Sequence, residues 1–423
     1  MSKKNSNGVI DTFMYITESF RHVDIDEDEI VRVLDNHFFI QLFESVPDFR
    51  QIKKCKYKLS HLLMMVFLTI LERGKVSFTI IEDVIEAKKK LYTQYGLIED
   101  GNCPSHDTIR RVLTLLNADG LYENTLNAFY FFLVCLENHV KGQGDYKHMA
   151  FDGKEIRGSG RGKDTQNPKR NTAMLNVYDT GCATVICCEP IDEKENEIPI
   201  SQELFRWMEF KNMILTADAL HCQKETVSLI NQQKGLYLLT VKDNQPLLSE
   251  EIKARFENPK YNKKIQRYEL EDRTVEILEL PKNYALRDEW DGLKSFVRMV
   301  SNKGKNTCIR HFISNTSDHR LICDAISLRW SCEQMHRIKD MDLFEDVLRS
   351  TDKNALQNLA NLNNLAVQLF HMYKAISGKE FRKAKIYFQT NPIECLTTIL
   401  GVMSSEEIIN EVVKNLKKQK RAR

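Results

Sequence analysis

Paired cysteines are missing from this chain. Eleven cysteines are scattered over its 423 residues, and none forms a Cys-x-x-Cys pair. The odd number and the spacing argue against a disulfide framework and against a ribbon-type zinc site. They fit a reducing compartment in which cysteine serves as a small apolar residue. Long hydrophobic runs are also missing. The longest, "LLMMVFLTIL" (62–71), has about half the length of a bilayer-spanning helix and is expected as a buried helix instead. Nothing behind the opening "MSKKNSNG" resembles the apolar core of a signal peptide, so a cytoplasmic location and no membrane partner are expected. A charge excess is absent too: 61 basic residues face 59 acidic ones, for a net +2. Global charge alone therefore does not call for nucleic acid. Internal repeats and low-complexity tracts are not found.

What is present is the composition of an ordinary soluble protein, 42% apolar and 28% charged, in a chain too long for one ordinary core. Charge is unevenly spread. "VDIDEDEI" near the N-terminus is acidic, whereas "RQIKKCKYK" (50–58) and "KNLKKQKRAR" at the C-terminus are basic and lack acids. Such basic runs fit either a polyanion partner or a solvated face.

Residues 1–140 read as a helical N-terminal domain. Helical spacing of apolar residues recurs in "EIVRVLDNHFFIQLFESV" and "LNADGLYENTLNAFYFFLVCLENHV". Between them, "CPSHDTIRRVL" carries helix-start chemistry, with Ser105 as N-cap and Asp107 in the first turn. Arg110 and Arg111 follow on that helix, which is either a DNA-reading member of a helix-turn-helix or a plain surface helix.

The texture changes at "KGQGDYKHMA" (141–150). Strands are expected at "YKHMAFD", "TAMLNVYD" and "TVICCEPI", then a helix at "PISQELFRWME" with Pro199 in its first turn. A strand at "NMILTADAL", a helix at "QKETVSLINQQKG" and a strand at "LYLLTVK" follow. This order predicts an antiparallel meander, then parallel strands, with helices covering the sheet. A β insertion spans about 262–316 within a second domain, 141–376, and a basic helical tail covers 377–423.

Three acids stand out by position. Asp152 is placed at the end of the first strand, Asp218 at the end of a later one, and Glu333 on a helix after the insertion. Strand ends of an open sheet are where sites form. If the two strands are neighbours, their aspartates face one another, and hard divalent cations such as Mg²⁺ would relieve the repulsion among three converging carboxylates. Two such ions support in-line phosphoryl transfer. With 59 acids in the chain, spacing alone leaves accidental triples open.

Seven colinear motifs carry a resemblance: "CPSHDTIRRV", "FDGKEIRGS", "EKENEI" (193–198), "DALHCQKE" (218–225), "VKDNQ" (241–245), "WDGLKS" (290–295) and "RWSCEQ" (329–334). Over roughly 45–375 the chain resembles the DDE-type transposases of bacterial insertion sequences, in the group of H-repeat-associated proteins. The resemblance implies an α/β fold with an RNase H-like mixed sheet, flanked by helices and carrying a β-strand insertion. It implies a Mg²⁺-dependent triad of Asp152, Asp218 and Glu333, with Mn²⁺ able to substitute and two ions bound. It further implies DNA as partner, both element ends and target, a homodimer on DNA, and a bacterial cytoplasm with nucleoid association when bound. Departures cluster on the glutamate helix. Ile326 stands where the signature has Tyr, Asp340 where it has Lys, and Cys332 precedes the glutamate. They leave two alternatives beside a transposase: a domesticated or decayed relative that binds DNA without cutting it, and a metal-dependent DNA nuclease.

Phosphate contacts are expected from Lys154, Arg157, Arg161 and Lys163 around the glycine-rich stretch after Asp152, and from Arg329 on the glutamate helix. Lys242, Asn244 and Gln245 follow a strand end on the same edge, either contacting DNA or capping the next helix. His221 and Cys222 invite a zinc reading, but packing is preferred because no second pair has metal spacing. Trp330, Trp207 and the aromatics of "FYFFL" are expected in the core.

Overall fold

The computed structural model describes residues 42–74, 76–99, 101–122, 124–125, 146–160, 171–191, 197–303 and 306–403. The acidic N-terminal run, the basic C-terminal run, "FYFFL", most of "EKENEI", Arg161 and Lys163 lie outside the described residues.

The described N-terminal residues include the helices α1 (Leu59–Arg73), α2 (Phe78–Ala87), α3 (Lys89–Gln94) and α4 (His106–Leu115). Helix α1 contains the apolar run and is buried at every position from Leu59 to Leu71, as an all-round apolar helix requires. Ser105 caps α4 by accepting from the Thr108 amide, with Asp107 in the first turn.

The sheet begins with β1 (Lys147–Ile156), β2 (Thr172–Asp179) and β3 (Thr184–Ile191), an antiparallel meander. Helix α5 (Glu197–Trp207) leads to β4 (Met213–Ala217), and α6 (Lys224–Gln232) to β5 (Leu236–Val241). Strand β4 lies parallel to β1, and β5 parallel to β4. These five strands make the RNase H-like mixed sheet that the resemblance implies. After α7 (Pro246–Glu257) come β6 (Ile265–Leu270), β7 (Arg273–Glu279), β8 (Ser295–Lys303) and β9 (Asn306–Ser314), all antiparallel. They do not form a separate body. Strand β9 pairs with β5, giving one nine-stranded sheet in the order β3-β2-β1-β4-β5-β9-β8-β7-β6.

Alternation along the strands assigns residues to the two faces. Met149, Phe151, Leu215 and Ala217 pack against α5, α6 and α7 on one face. Ala150 points the other way, into a core shared with α1, α2 and α4. That second face is covered by α8 (His319–Met341) and α9 (Lys353–Ser377). The first third of α8 packs on the insertion strands through Ile322, Ala325 and Ile326. Its last third packs through Cys332, Met335 and Ile338 into the helical core. Helix α8 therefore crosses the sheet, and its middle passes over β4 and β1.

Helix α9 is buried all round, and its asparagines explain how. Asn354, Asn358 and Asn361 donate to the carbonyls of Thr114, Leu113, Leu116 and Ala118 at the exit of α4. A helix C-terminus leaves such carbonyls unmatched, and here the side chains of α9 match them. Within the segment expected as a tail, α10 (Phe381–Thr390) and α11 (Pro392–Met403) instead enter this core through Ala384, Phe388, Cys395 and Ile399.

Candidate active site

Strand β1 does not stop at Asp152. Its parallel pairing with β4 ends at Phe151 and Ala217, but its antiparallel pairing with β2 continues from Asp152 to Ile156. The strand runs past the end expected at Asp152 because β2 supplies a partner as far as Ile156. Asp152 is thus the first β1 residue beyond its parallel neighbour. Asp218 is likewise the first residue beyond β4. Each directly follows one member of a paired couple, so the two aspartates stand side by side. Phe151 and Ala217 face the α5 side, which turns both aspartates toward α8.

Helix α8 answers both. Arg329 donates to the Asp218 carboxylate and to the Thr240 hydroxyl, the latter at 2.7 Å. His336 Nε2 lies 3.1 Å from Asp152 Oδ2. Glu333 sits four residues after Arg329 and three before His336, on the same helical face. It is exposed and lines a crevice with Thr216, Arg273, Arg310, Arg329 and Trp330. Among the described residues, Asp152, Cys332 and His336 form a group of three metal-type donors that all lie within 4.8 Å of one another. The three carboxylates together do not reach that separation.

Lys154 is a correction. It was expected at the phosphates, but its side chain is only 7% exposed and turns inward. Its ammonium sits 2.5 Å from Asp340, 3.1 Å from Glu345 and 3.2 Å from Asp346. Burial alone would lower the Lys154 pKa, but the three carboxylates outweigh it and hold it above the ordinary lysine value. Lys339 completes the cluster, 3.1 Å from Glu345 and equally buried. Burial works to raise the Glu345 carboxyl, and the two lysines pull it below its ordinary value. Asp340, in the position where the signature has Lys, receives that charge from Lys154 on β1.

Of the other expected contacts, Arg157 is 77% exposed, with Asp346 at 3.5 Å. Arg110 and Arg111 are exposed on α4, and Lys242 is exposed just past β5. The Gln245 amide donates to the Cys222 carbonyl at 3.0 Å, and the Asn244 amide to the Ala219 carbonyl at 2.6 Å. Both brace the turn after Asp218, and Gln245 makes no side-chain cap bond to α7. His221 and Cys222 are fully buried. His221 meets the Ser201 hydroxyl at 3.1 Å and Glu197 at 3.4 Å, which is packing and not a metal pair.

Two tryptophans correct the core expectation. Trp207 and Trp330 are 49% and 44% exposed, whereas Trp290 is buried. One glycine of the stretch after Asp152 is required by close approach. A Cβ on Gly158 would overlap the backbone at Asp346–Leu348, whereas one on Gly153 would meet only the movable carboxylate of Glu197. His336, Glu345 and Lys339 were missed by sequence reasoning. His336 had a usable signal, one turn after Cys332 on the glutamate helix.

The comparisons define the class. A family model described as a transposase DDE domain matches residues 143–369, more than half of the chain, and a second, described as associated with that domain, matches 40–128. The chain belongs to the DDE transposase-domain family. Among its relatives, the "H repeat-associated putative transposase YhhI" of Escherichia coli K12 is 27% identical, over 80% of this chain and 92% of the relative. The "H repeat-associated putative transposase YbfD" of the same organism is 32% identical, over 51% of this chain and 83% of the relative. "Putative transposase YncI" of Escherichia coli O157:H7 is 29% identical over 80% and 89%. No described helix is long and apolar enough to cross a membrane.

Proposed function

We propose that this chain is a DNA transposase that hydrolyses a phosphodiester at each element end and then joins the freed 3′-hydroxyl to target DNA. The observation that carries the reading is the pairing of Phe151 with Ala217, which sets Asp152 and Asp218 side by side under the helix that bears Glu333. Three carboxylates offer oxygen donors only, the set that suits a hard divalent cation such as Mg²⁺ or Mn²⁺. Asp152, Asp218 and Glu333 would hold two such ions. When bound, the ions supply Lewis acidity at the phosphate and an activated nucleophile.

The chain's own residues do the rest. Asp152 and Asp218 are fixed by strand pairing. Glu333 is carried by α8, whose two ends are packed on different parts of the sheet. Arg329 holds the Asp218 carboxylate and would be free to meet a phosphate were that carboxylate neutralised in another way. Arg157 and Lys242 at the sheet edge, together with Arg161 and Lys163 of the same basic stretch of sequence, neutralise the DNA backbone near the cut. Arg110 and Arg111 on α4 bind a more distant part of the same end. A homodimer holds two ends together, and the reaction takes place in the bacterial cytoplasm, on the nucleoid.

One observation favours a second reading, a relative that binds DNA without cutting it: both aspartates are already occupied by basic groups of α8. One assay separates the readings. A donor plasmid carrying the element ends is incubated with Mg²⁺ or Mn²⁺ and either wild type or Asp152→Ala. Cleavage and joining in the wild type and their loss in the variant support the transposase. End binding without cutting by either protein supports the second reading. Nicking of any DNA without end preference points to a plain metal-dependent nuclease and overturns both.

A further inference from the structure

Asp152 faces two donors of a different chemical kind from the acids of the triad. Cys332 and His336 are four residues apart, so they lie one above the other on α8. The Cys332 sulfur is 3.8 Å from His336 Nε2, and that nitrogen is 3.1 Å from Asp152 Oδ2. All three donor atoms lie within 4.8 Å of one another. A tetrahedral zinc ion with bonds of about 2.3 Å to sulfur and about 2.0–2.1 Å to nitrogen and oxygen needs donor separations of about 3.3–3.6 Å. The observed spacings straddle that range before any side chain moves.

A second feature points to the same place. Asn176 is the direct cross-strand partner of Asp152 on β2 and is completely buried. Directly opposed residues of an antiparallel pair project to the same face. The Asn176 amide donates to the Met174 carbonyl, yet its Oδ1 is buried with no hydrogen-bond partner. An acceptor left in this way costs about 1–3 kcal/mol. Water held in the fourth position of a metal ion would give it a donor.

We propose that Asp152, Cys332 and His336 form a binding site for a borderline-soft divalent cation such as Zn²⁺, with an open fourth position facing Asn176. The donor set is one carboxylate oxygen, one imidazole nitrogen and one thiolate sulfur, which selects against Mg²⁺ and for zinc-like ions. Binding releases the thiol proton of Cys332 to solvent. Occupancy of this site withdraws Asp152 from the carboxylate triad. Zn²⁺ therefore inhibits Mg²⁺-supported cutting, a consequence that rests on the transposase reading although the site does not.

The test uses the full chain, freed of metal and titrated with Co²⁺ as the spectroscopic probe. The expected result is a sulfur-to-cobalt charge-transfer band that saturates at one ion per chain. Cys332→Ser abolishes the band, His336→Gln weakens binding by about tenfold or more, and Asp218→Asn leaves both unchanged. Exposed Cys308 and half-buried Cys55 are other thiols that could bind cobalt, which makes the Cys332 variant discriminating. Circular dichroism checks the fold of each variant. If Cys332→Ser fails to fold, the His336→Gln affinity decides. No saturating band, a band that survives Cys332→Ser, or unchanged affinity in folded His336→Gln overturns the proposal. None of these readouts involves DNA, so the site can fail while the transposase reading stands, and the reverse.

Discussion

Replacing Lys154 with methionine tests the inward placement of this residue most directly. Methionine keeps nearly the same apolar length, so packing of the side-chain stem is largely retained and the charge is what disappears. In the wild type that charge serves three carboxylates, at 2.5, 3.1 and 3.2 Å. After the change, Glu345, whose side chain is 1% exposed, keeps Lys339 alone, and Asp340 and Asp346 lose their nearest common cation. Removing one partner from a buried ionic cluster costs about 3–5 kcal/mol, a large share of the roughly 5–15 kcal/mol that holds a domain together. Urea unfolding of Lys154→Met should show that loss near neutral pH. Arg157→Met, at a side chain 77% exposed, should lose no more than about 1 kcal/mol. The pH dependence has a definite sign. Glu345 is held below its ordinary value of 4.5, so its contribution is complete above that pH and is lost as the pH falls through its folded-state value. The gap between wild type and Lys154→Met should therefore narrow under acid conditions. If Lys154→Met is no worse than Arg157→Met near pH 7, the ammonium is not needed inside. The phosphate-contact expectation would then be restored.

Gly158→Ala should destabilise by about 1–3 kcal/mol through overpacking, because the new methyl meets backbone atoms of Asp346–Leu348 and not a side chain that can swing away; a thermal midpoint equal to wild type would refute the close approach. Asn244→Ala should slow cutting while leaving DNA affinity intact, since its amide braces the turn after Asp218, whereas Lys242→Ala should weaken DNA binding and reduce the salt slope by about one unit; gel-shift titrations at several salt concentrations distinguish these outcomes. Burial, reinforced by Asp119, pushes the Glu189 carboxyl up to about 8. A carboxyl raised in the fold keeps its proton there after the unfolded chain has lost it, so stability should fall as pH rises from about 4.5 to about 8. Glu189→Gln should flatten that decline, and an unchanged slope in urea unfolding across the window counts against it.

Much of the sheet was legible because its strands obey local rules. Alternation marked β1 to β3, the switch to alternating helix and strand marked β4 and β5, and Ser105 and Pro199 marked helix starts. What escaped was non-local. The pairing of β9 with β5, which merges the insertion into the main sheet, depends on which edge is free and not on any one strand. The burial of Lys154 depends on acids near residue 345, some 192 positions away for Asp346. A lysine among glycines reads as exposed until those acids arrive. Trp207 and Trp330 were assigned to the core on residue type alone, and helical position overruled it. The aspartates were placed correctly relative to β4, but the length of β1 was underestimated because β2 was not yet known to run beside it to Ile156.

The unusual residues of the glutamate helix fit together once α8 is laid across the sheet. Arg329 meets Asp218 on β4, and His336 meets Asp152 on β1. Asp340 meets Lys154, two residues further along β1 on the same face. The steps of seven and four residues keep these contacts on one side of the helix, with Glu333 among them. A slip of α8 by one turn in one direction would set Asp340 near Asp152, and a slip in the other direction would set His336 near Lys154. Each of those pairs repels or goes unmatched, which makes the charge sequence a register lock for the helix that carries Glu333. If the proposed triad holds metal, the same contacts would oppose it, because Arg329 and His336 already meet the Asp218 and Asp152 carboxylates while Lys154 and Asp340 hold the helix in place. On this argument the buried lysine and the altered helix form a single arrangement. Lys154 fixes where Glu333 sits, and Arg329 and His336 hold the two aspartates that the proposed metal site would use.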